Sequence, residues 1–71
     1  MTNTIELEIA LKRAGLSKKE LAKGLGLSEM GLFRKINNLT EFKASEIKKI
    51  QTLLNLQDEV RDLIFFASNG D

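Results

Sequence analysis

Residues 17–36 read SKKELAKGLGLSEMGLFRKI, and three of the chain's five glycines, Gly24, Gly26 and Gly31, fall inside this stretch. Ser17 and Glu20 have the spacing of a capping box, in which each side chain satisfies a backbone N–H at the other's position and a helix begins. Leu21, Ala22 and Leu25 supply a buried stripe. Gly24 disfavours a helix interior by about 1 kcal/mol relative to alanine, which predicts an early stop. Gly26 supplies a residue tolerant of positive φ for a turn. Ser28 then caps a second helix, whose inward positions Leu32 and Ile36 lie four apart. The stretch therefore predicts two short helices, 17–24 and 28–37, folded over a glycine.

Outward from this centre the pattern stays helical. Leu7, Ala10, Leu11 and Ala14 fall at i, i+3, i+4 and i+7, and Gly15 follows as a terminator, predicting a helix over 4–14. Its first turn is ambiguous, because TIELEI alternates as a half-buried strand would. A fourth helix is predicted over 44–54, with Ile47, Ile50, Leu53 and Leu54 inward and Asn55 as a left-handed terminator. A fifth, over 58–66, opens on Asp58 and Glu59, which suit a helix N-terminus, and places Val60, Leu63 and Ile64 at helical spacing. LIFFA, residues 63–67, is too short to reveal its period and fits either a helix or a short strand, helix being preferred. Leu39 and Phe42 read as core residues closing a loop onto the fourth helix. With no proline, repeat or linker, residues 1–71 read as one compact all-α domain of five helices.

Composition narrows the function classes. A chain of 71 residues buries only about 60% of the surface its unfolded form exposes, so every apolar face must contribute. Cysteine and histidine are absent, which removes disulfides, thiolate nucleophiles and the commonest metal ligands. No carboxylates pair at catalytic spacing, so the expectation is a protein that is not an enzyme and takes no cofactor, metal or small-molecule ligand. No apolar run approaches the ~18 residues of a membrane span, and the start lacks the order of a signal peptide, so a cytoplasmic location without membrane attachment is expected. The net charge of +1 conceals a split: residues 1–50 hold ten Lys/Arg against six Asp/Glu, and residues 51–71 hold one against four. Such a split fits ordinary solvated faces, and equally a basic face toward a polyanion with an acidic end turned away.

In a helix-turn-helix, two helices cross steeply over a turn of three or four residues. Ala22 is small where such a crossing needs it, Gly26 makes the turn, and Leu25, Leu27 and Leu32 lock the angle from beneath. LSKKELAKGLGLSEMGLFRKINN resembles the lambda-repressor-like (Cro/repressor, XRE-type) helix-turn-helix domains. EFKASEIKKIQTLLNL and LIFFA are similar to the small Cro-like regulators of bacteriophages and prophages of Gram-positive bacteria. The resemblance covers residues 7–67. It implies a five-helix DNA-binding domain acting as a transcriptional regulator, with its third helix in the major groove of a double-stranded operator and a homodimer as the usual state on DNA.

By the same resemblance, the base-reading positions fall on Glu29, Met30, Phe33 and Arg34. Lys18 matches a phosphate clamp, and Ser28, Asn37, Asn38 and Lys43 match positions near the DNA backbone. Arg34 suits paired hydrogen bonds to guanine, Glu29 accepts only from donors such as cytosine N4, and Met30 and Phe33 suit thymine methyls. Gly31 would let the helix approach a duplex closely. From the residues alone Phe33 is expected to be at least partly buried in preference to meeting bases, Met30 reads as filling a gap in the core nearly as well, and Phe65 and Phe66 read as either dimer contacts or core. Lys12, Arg13, Lys19, Lys23, Lys48 and Lys49 read as solvated. Three departures stand out. Lys35 occupies a position where the family usually has an aliphatic residue, so the third helix is either rotated or different in its last turn. Asn38 replaces a glycine, and Lys18 replaces a common glutamine. The alternative reading is a protein-interaction module on the same scaffold, an antitoxin or antirepressor, with Met30, Phe33 and Ile9 as its apolar patch.

Overall fold

The computed structural model describes residues 1–66, and these contain five α-helices and no strand: α1 (Thr4–Ala14), α2 (Lys18–Leu25), α3 (Glu29–Ile36), α4 (Ala44–Leu54) and α5 (Asp58–Phe65). LIFFA is thus helical through Phe65, and Ala67 at its end lies outside the described residues. TIELEI belongs to α1 throughout.

The helices begin and end for local reasons. The Asn3 side chain caps α1 by accepting from the Glu6 amide, Ser17 and Glu20 form a complete capping box on α2, and the Ser28 hydroxyl accepts from the Gly31 amide at 2.9 Å. Among the described residues four backbone positions are left-handed, at Gly15, Gly26, Asn38 and Asn55, and a leucine follows every one. In each case the leucine amide reaches back to a carbonyl five residues earlier: Leu16 to Leu11, Leu27 to Ala22, Leu39 to Arg34 and Leu56 to Gln51. This is the Schellman ending, which satisfies carbonyls that a helix end leaves free. Three of these endings serve as complete corners. Gly15-Leu16-Ser17, Gly26-Leu27-Ser28 and Asn55-Leu56-Gln57 each run left-handed residue, leucine, N-cap of the next helix, and Leu16, Leu27 and Leu56 pack against the core.

The fourth ending differs, and it corrects the expectation for Leu39. After Asn38 no helix starts; the chain continues as a loop to Lys43, and Leu39 is 68% exposed instead of closing the core. Phe42 takes that place, meeting Phe65 edge-on with ring centroids 5.4 Å apart. Phe65 is therefore core, and Phe66 is exposed.

Every helix feeds the core. Leu7, Leu21, Leu32, Ile36, Ile50 and Ile64 are fully buried, each worth about 1.5–3 kcal/mol in transfer from water. α2 packs on α3 and α4, while α1, α4 and α5 pack on one another. Ala14, Leu53 and Leu63, expected inward, are exposed. The second helix also runs one residue past the expected stop, so that Gly24 is interior and Gly26 terminates it.

Gly24 and Gly26 tolerate a side chain differently. A Cβ on Gly24 would come 2.9 Å from the Cδ1 of Leu53, the end of a side chain free to turn aside, whereas Gly26 has open space but a φ of +70°.

Lys35, where an aliphatic residue is the expectation, has a structural task of its own. It points inward, and its Nζ lies 2.8 Å from Glu46 Oε1 on α4 and 3.1 Å from the Glu41 carbonyl, with the two side chains only 12% and 9% exposed. The same Glu46 oxygen accepts from the Lys43 amide at 2.8 Å. Burial raises the pKa of the Glu46 carboxyl, but the Lys35 hydrogen bond, the Lys43 amide and the two lysine charges outweigh it and hold the group below 4.5. Glu20 is lowered as well, first by its bond to the Ser17 backbone and then by the Ser17 side chain.

Two predictions come from this architecture. Gly24→Ala should stabilise the fold by up to about 1 kcal/mol, and Gly26→Ala should destabilise it by about 1–2 kcal/mol. Urea unfolding of the two variants checks the contrast, and equal effects would contradict it. Because the folded Glu46 carboxyl is lowered, its contribution is present above 4.5 and is lost as pH falls through the lowered folded value. Glu46→Gln should therefore flatten the acid limb of stability and, by stranding the Lys35 ammonium, lower stability at pH 7 by about 3 kcal/mol, whereas the paired Lys35→Met/Glu46→Leu replacement stays within about 1 kcal/mol of the parent. A Glu46→Gln protein whose melts match the parent's at pH 7 and along the acid limb would rule out this role.

Candidate nucleic-acid interface

α3 is an eight-residue helix that buries one narrow stripe, Leu32 and Ile36, and has α2 as its principal packing neighbour. Lys35 turns inward beside this stripe and Gly31 is half-buried, while the remaining four side chains face outward. Glu29, Met30, Phe33 and Arg34 are all exposed, so the structure brings the four expected reading residues onto one outer face. Met30 is 58% exposed and Phe33 55%, which excludes core filling for both. Their arrangement follows helical spacing: Glu29 and Phe33 stand four apart, as do Met30 and Arg34.

Both ends of α3 are fastened. At its start the corner at Gly26 and the Ser28 cap fix the entry. At its end three ties converge. The Thr4 hydroxyl donates to the Ile36 carbonyl at 2.6 Å, Lys35 reaches Glu46, and Asn38 clamps the backbone of Thr2, accepting from its amide at 2.8 Å and donating to its carbonyl at 3.0 Å. Lys35 takes the inward place and leaves Arg34 outside, where it makes no ion pair among the described residues.

A groove of about 320 Å³ runs along this face. Lys18, Glu29, Met30, Phe33 and Asn37 line it, over a floor that includes Leu32 and Ile36. It gathers five of the nine expected site residues; Ser28, Arg34, Asn38 and Lys43 lie outside it. Lys18, at the start of α2, is held by Glu8 of α1 at 3.0 Å, with both side chains about half exposed. An exposed pair of this kind is worth at most about 1 kcal/mol, so it restrains Lys18 weakly. Glu8 is not among the expected site residues, since its proximity depends on how α1 and α2 are joined.

The expected backbone residues divide. Ser28 uses its hydroxyl as a cap, and a Cβ at Gly31 would approach that hydroxyl to 3.1 Å, so the small residue at Gly31 also makes room for the cap. Asn37 donates from its side chain to the Phe33 carbonyl at 2.9 Å. Asn38 is left-handed, as expected of a residue replacing glycine, but both polar atoms of its side chain are taken up by Thr2, leaving a structural task in place of an open contact. Lys43 precedes α4, with its side chain exposed and without an ion pair among the described residues. Lys12, Arg13, Lys19, Lys23, Lys48 and Lys49 are exposed. At the acidic end, Arg61 is tied to Asp58, Asp62 and Gln51.

Among the described residues no group of three or more His, Cys, Asp or Glu is placed to hold a metal ion, and no helix is long and apolar enough to cross a membrane. No protein-family model matches the chain, and no curated protein or solved structure is significantly similar to it.

The Asn38 clamp gives a direct test of its structural task. Asn38→Gly keeps the left-handed backbone but loses both Thr2 bonds, and should lower stability by about 1–2 kcal/mol. Asn38→Ala loses the bonds and adds strain, and should lower it by about 1 kcal/mol more. Thermal melts of the two variants check the order; two variants as stable as the parent would contradict the clamp.

Proposed function

We propose that the chain is a sequence-specific double-stranded DNA-binding transcriptional regulator of the Cro/repressor kind, built on a lambda-repressor-like helix-turn-helix formed by α2 and α3. The observation that carries this reading is a short helix fastened at both ends, with Glu29, Met30, Phe33 and Arg34 together on its free face. An α-helix with its side chains is about 10–12 Å across, close to the ~12 Å width of the B-DNA major groove.

The residues then take distinct tasks. Arg34, unpaired among the described residues, offers a planar fork to guanine O6 and N7. Glu29 accepts from cytosine N4 and repels a misplaced phosphate, so it filters sequences. Lys18 and Lys43 attract phosphates on either side, and Lys18 must exchange Glu8 for a phosphate oxygen to do so. The first amides of α3 add a weak preference for an anion near Ser28. One helix of this length spans few base pairs, so useful specificity calls for a homodimer on two half-sites about one helical turn apart. Phe65 is buried and cannot serve that contact, whereas Leu63 and Phe66 are exposed on and just after α5. The reading is of a binding protein, neither an enzyme nor a cofactor carrier.

A second reading, a protein-interaction module such as an antitoxin or antirepressor, is favoured by one observation, the exposure of Met30 and Phe33. The DNA reading accounts for the same exposure and also for the free Arg34 beside them.

Selection of bound sequences from a random duplex pool tests the proposal, and a half-repeated motif is expected. With ~6 phosphates neutralised, log K against log salt should fall with a slope of roughly −5. Arg34→Ala should erase preference for the selected site, while Lys18→Ala should weaken binding to all duplexes alike. Salt-insensitive binding, or none to any duplex, would overturn the reading. Binding to a protein that fails with Phe33→Ala but tolerates Lys18→Ala and Lys43→Ala would favour the protein-interaction module.

A further inference from the structure

We infer that Met30 and Phe33 together form a reader of the thymine 5-methyl group, so that the DNA site contains thymine opposite the outer face of α3. This rests on the DNA-binding reading above and deepens it to a named chemical group.

Met30 and Phe33 are one helical step apart (i, i+3) and more than half exposed. Neither belongs to the buried core nor to the apolar residues packed against it. Large apolar side chains on a free face contribute little to folding, and here they line a groove whose ionisable neighbours are Lys18 and Glu29. An occupant of this groove gains by bringing an apolar group to Met30 and Phe33, and gains further if it carries an anion that can replace Glu8 on Lys18.

Duplex DNA meets both conditions at one kind of base pair. The floor of the major groove is made of hydrogen-bond donors and acceptors, and its one apolar group is the thymine methyl. A phenyl ring offers no donor or acceptor, and a thioether is only a weak acceptor. Set against guanine, cytosine or adenine edges, Phe33 would displace water from polar atoms and leave them unsatisfied, which is unfavourable. Set against thymine, it gains apolar contact. Selection for thymine thus comes from attraction at one base and from penalty at the other three. The two polar neighbours extend the pattern: Arg34, four residues after Met30, and Glu29, four before Phe33, read donors and acceptors on either side of the methyl.

The test uses the duplex recovered by selection from the random pool, with deoxyuridine replacing thymidine one position at a time. This exchange removes the methyl and keeps Watson–Crick pairing. For the intact protein, one or two positions in each half-site should lose roughly fourfold in affinity per methyl, and replacements outside the half-sites should have no effect. Phe33→Ala and Met30→Ala, both away from the core, should keep the parent melting temperature. Each should bind its thymidine and deoxyuridine duplexes equally at the position it reads. If the intact protein ignores the exchange everywhere, if the selected half-sites lack thymine, or if both alanine variants keep the full discrimination, methyl reading is overturned while DNA binding stands. If no duplex is recovered, the DNA-binding reading itself fails, methyl reading falls with it, and the Met30–Phe33 face is a protein contact.

Discussion

A left-handed backbone at Gly26, sealed by the bond from the Leu27 amide to the Ala22 carbonyl, is the restraint on which the placement of α3 depends. The turn closes α2, and the next residue, Leu27, is drawn onto the core, so Ser28 arrives already placed to cap α3. Three residues thus end one helix, anchor the chain and begin the next. The bond and the buried leucine together restrain the angle at which α3 leaves the corner. The chain repeats the device at Gly15 and Asn55, and this economy lets five helices share one core in so short a sequence.

The far end of α3 is governed by polar chemistry. Where another apolar residue would have closed the helix onto α4, Lys35 and Glu46 meet with little exposure, joined by the Lys43 amide and the Glu41 carbonyl. Such a pair adds little net stability compared with an apolar contact of the same shape, but it is directional. It fixes the rotation of the last turn of α3 and ties it to the loop that follows. Thr4 and Asn38 add ties to the start of α1. A helix gripped at both ends and packed along a single stripe is stiff without being covered, which suits presentation of side chains to a partner.

Local signals in the sequence carry most of the fold. Serine caps at Ser17 and Ser28, the glycines at Gly15 and Gly26 and the asparagine at Asn55 act within a few residues of themselves, so their tasks are readable without knowing the tertiary arrangement. The recurring corner is also in plain view, as GLS, GLS and NLQ, although its period is too irregular to register as a repeat. Direction is what the sequence hides. The eight residues of α5 make barely two turns, so its apolar stripe does not fix which side chains face in, and Leu63 is exposed; Leu53 near the end of α4 and Leu39 in the loop after α3, also expected inward, are exposed as well. Lys35 is unreadable for a different reason: its partner lies eleven residues away on another helix. Of the candidate site, the grouping of Glu29, Met30, Phe33 and Arg34 is what the resemblance implies, while the residues by themselves leave Met30 and Phe33 open to core filling; the commitment of Asn38 to Thr2 and of Lys18 to Glu8 depends on how α1 folds back across the chain.

Whether the outer face of α3 meets duplex DNA is tested most directly by titrating the uniformly ¹⁵N-labelled chain with a duplex and following backbone amide resonances. On a duplex carrying a single half-site, where no dimer contact forms, shifts concentrated at residues 28–34 and at Lys18, with the amides of α5 around Ile64 unmoved, are the expected result. Shifts centred on α5, or a spectrum unchanged by any duplex, would contradict it.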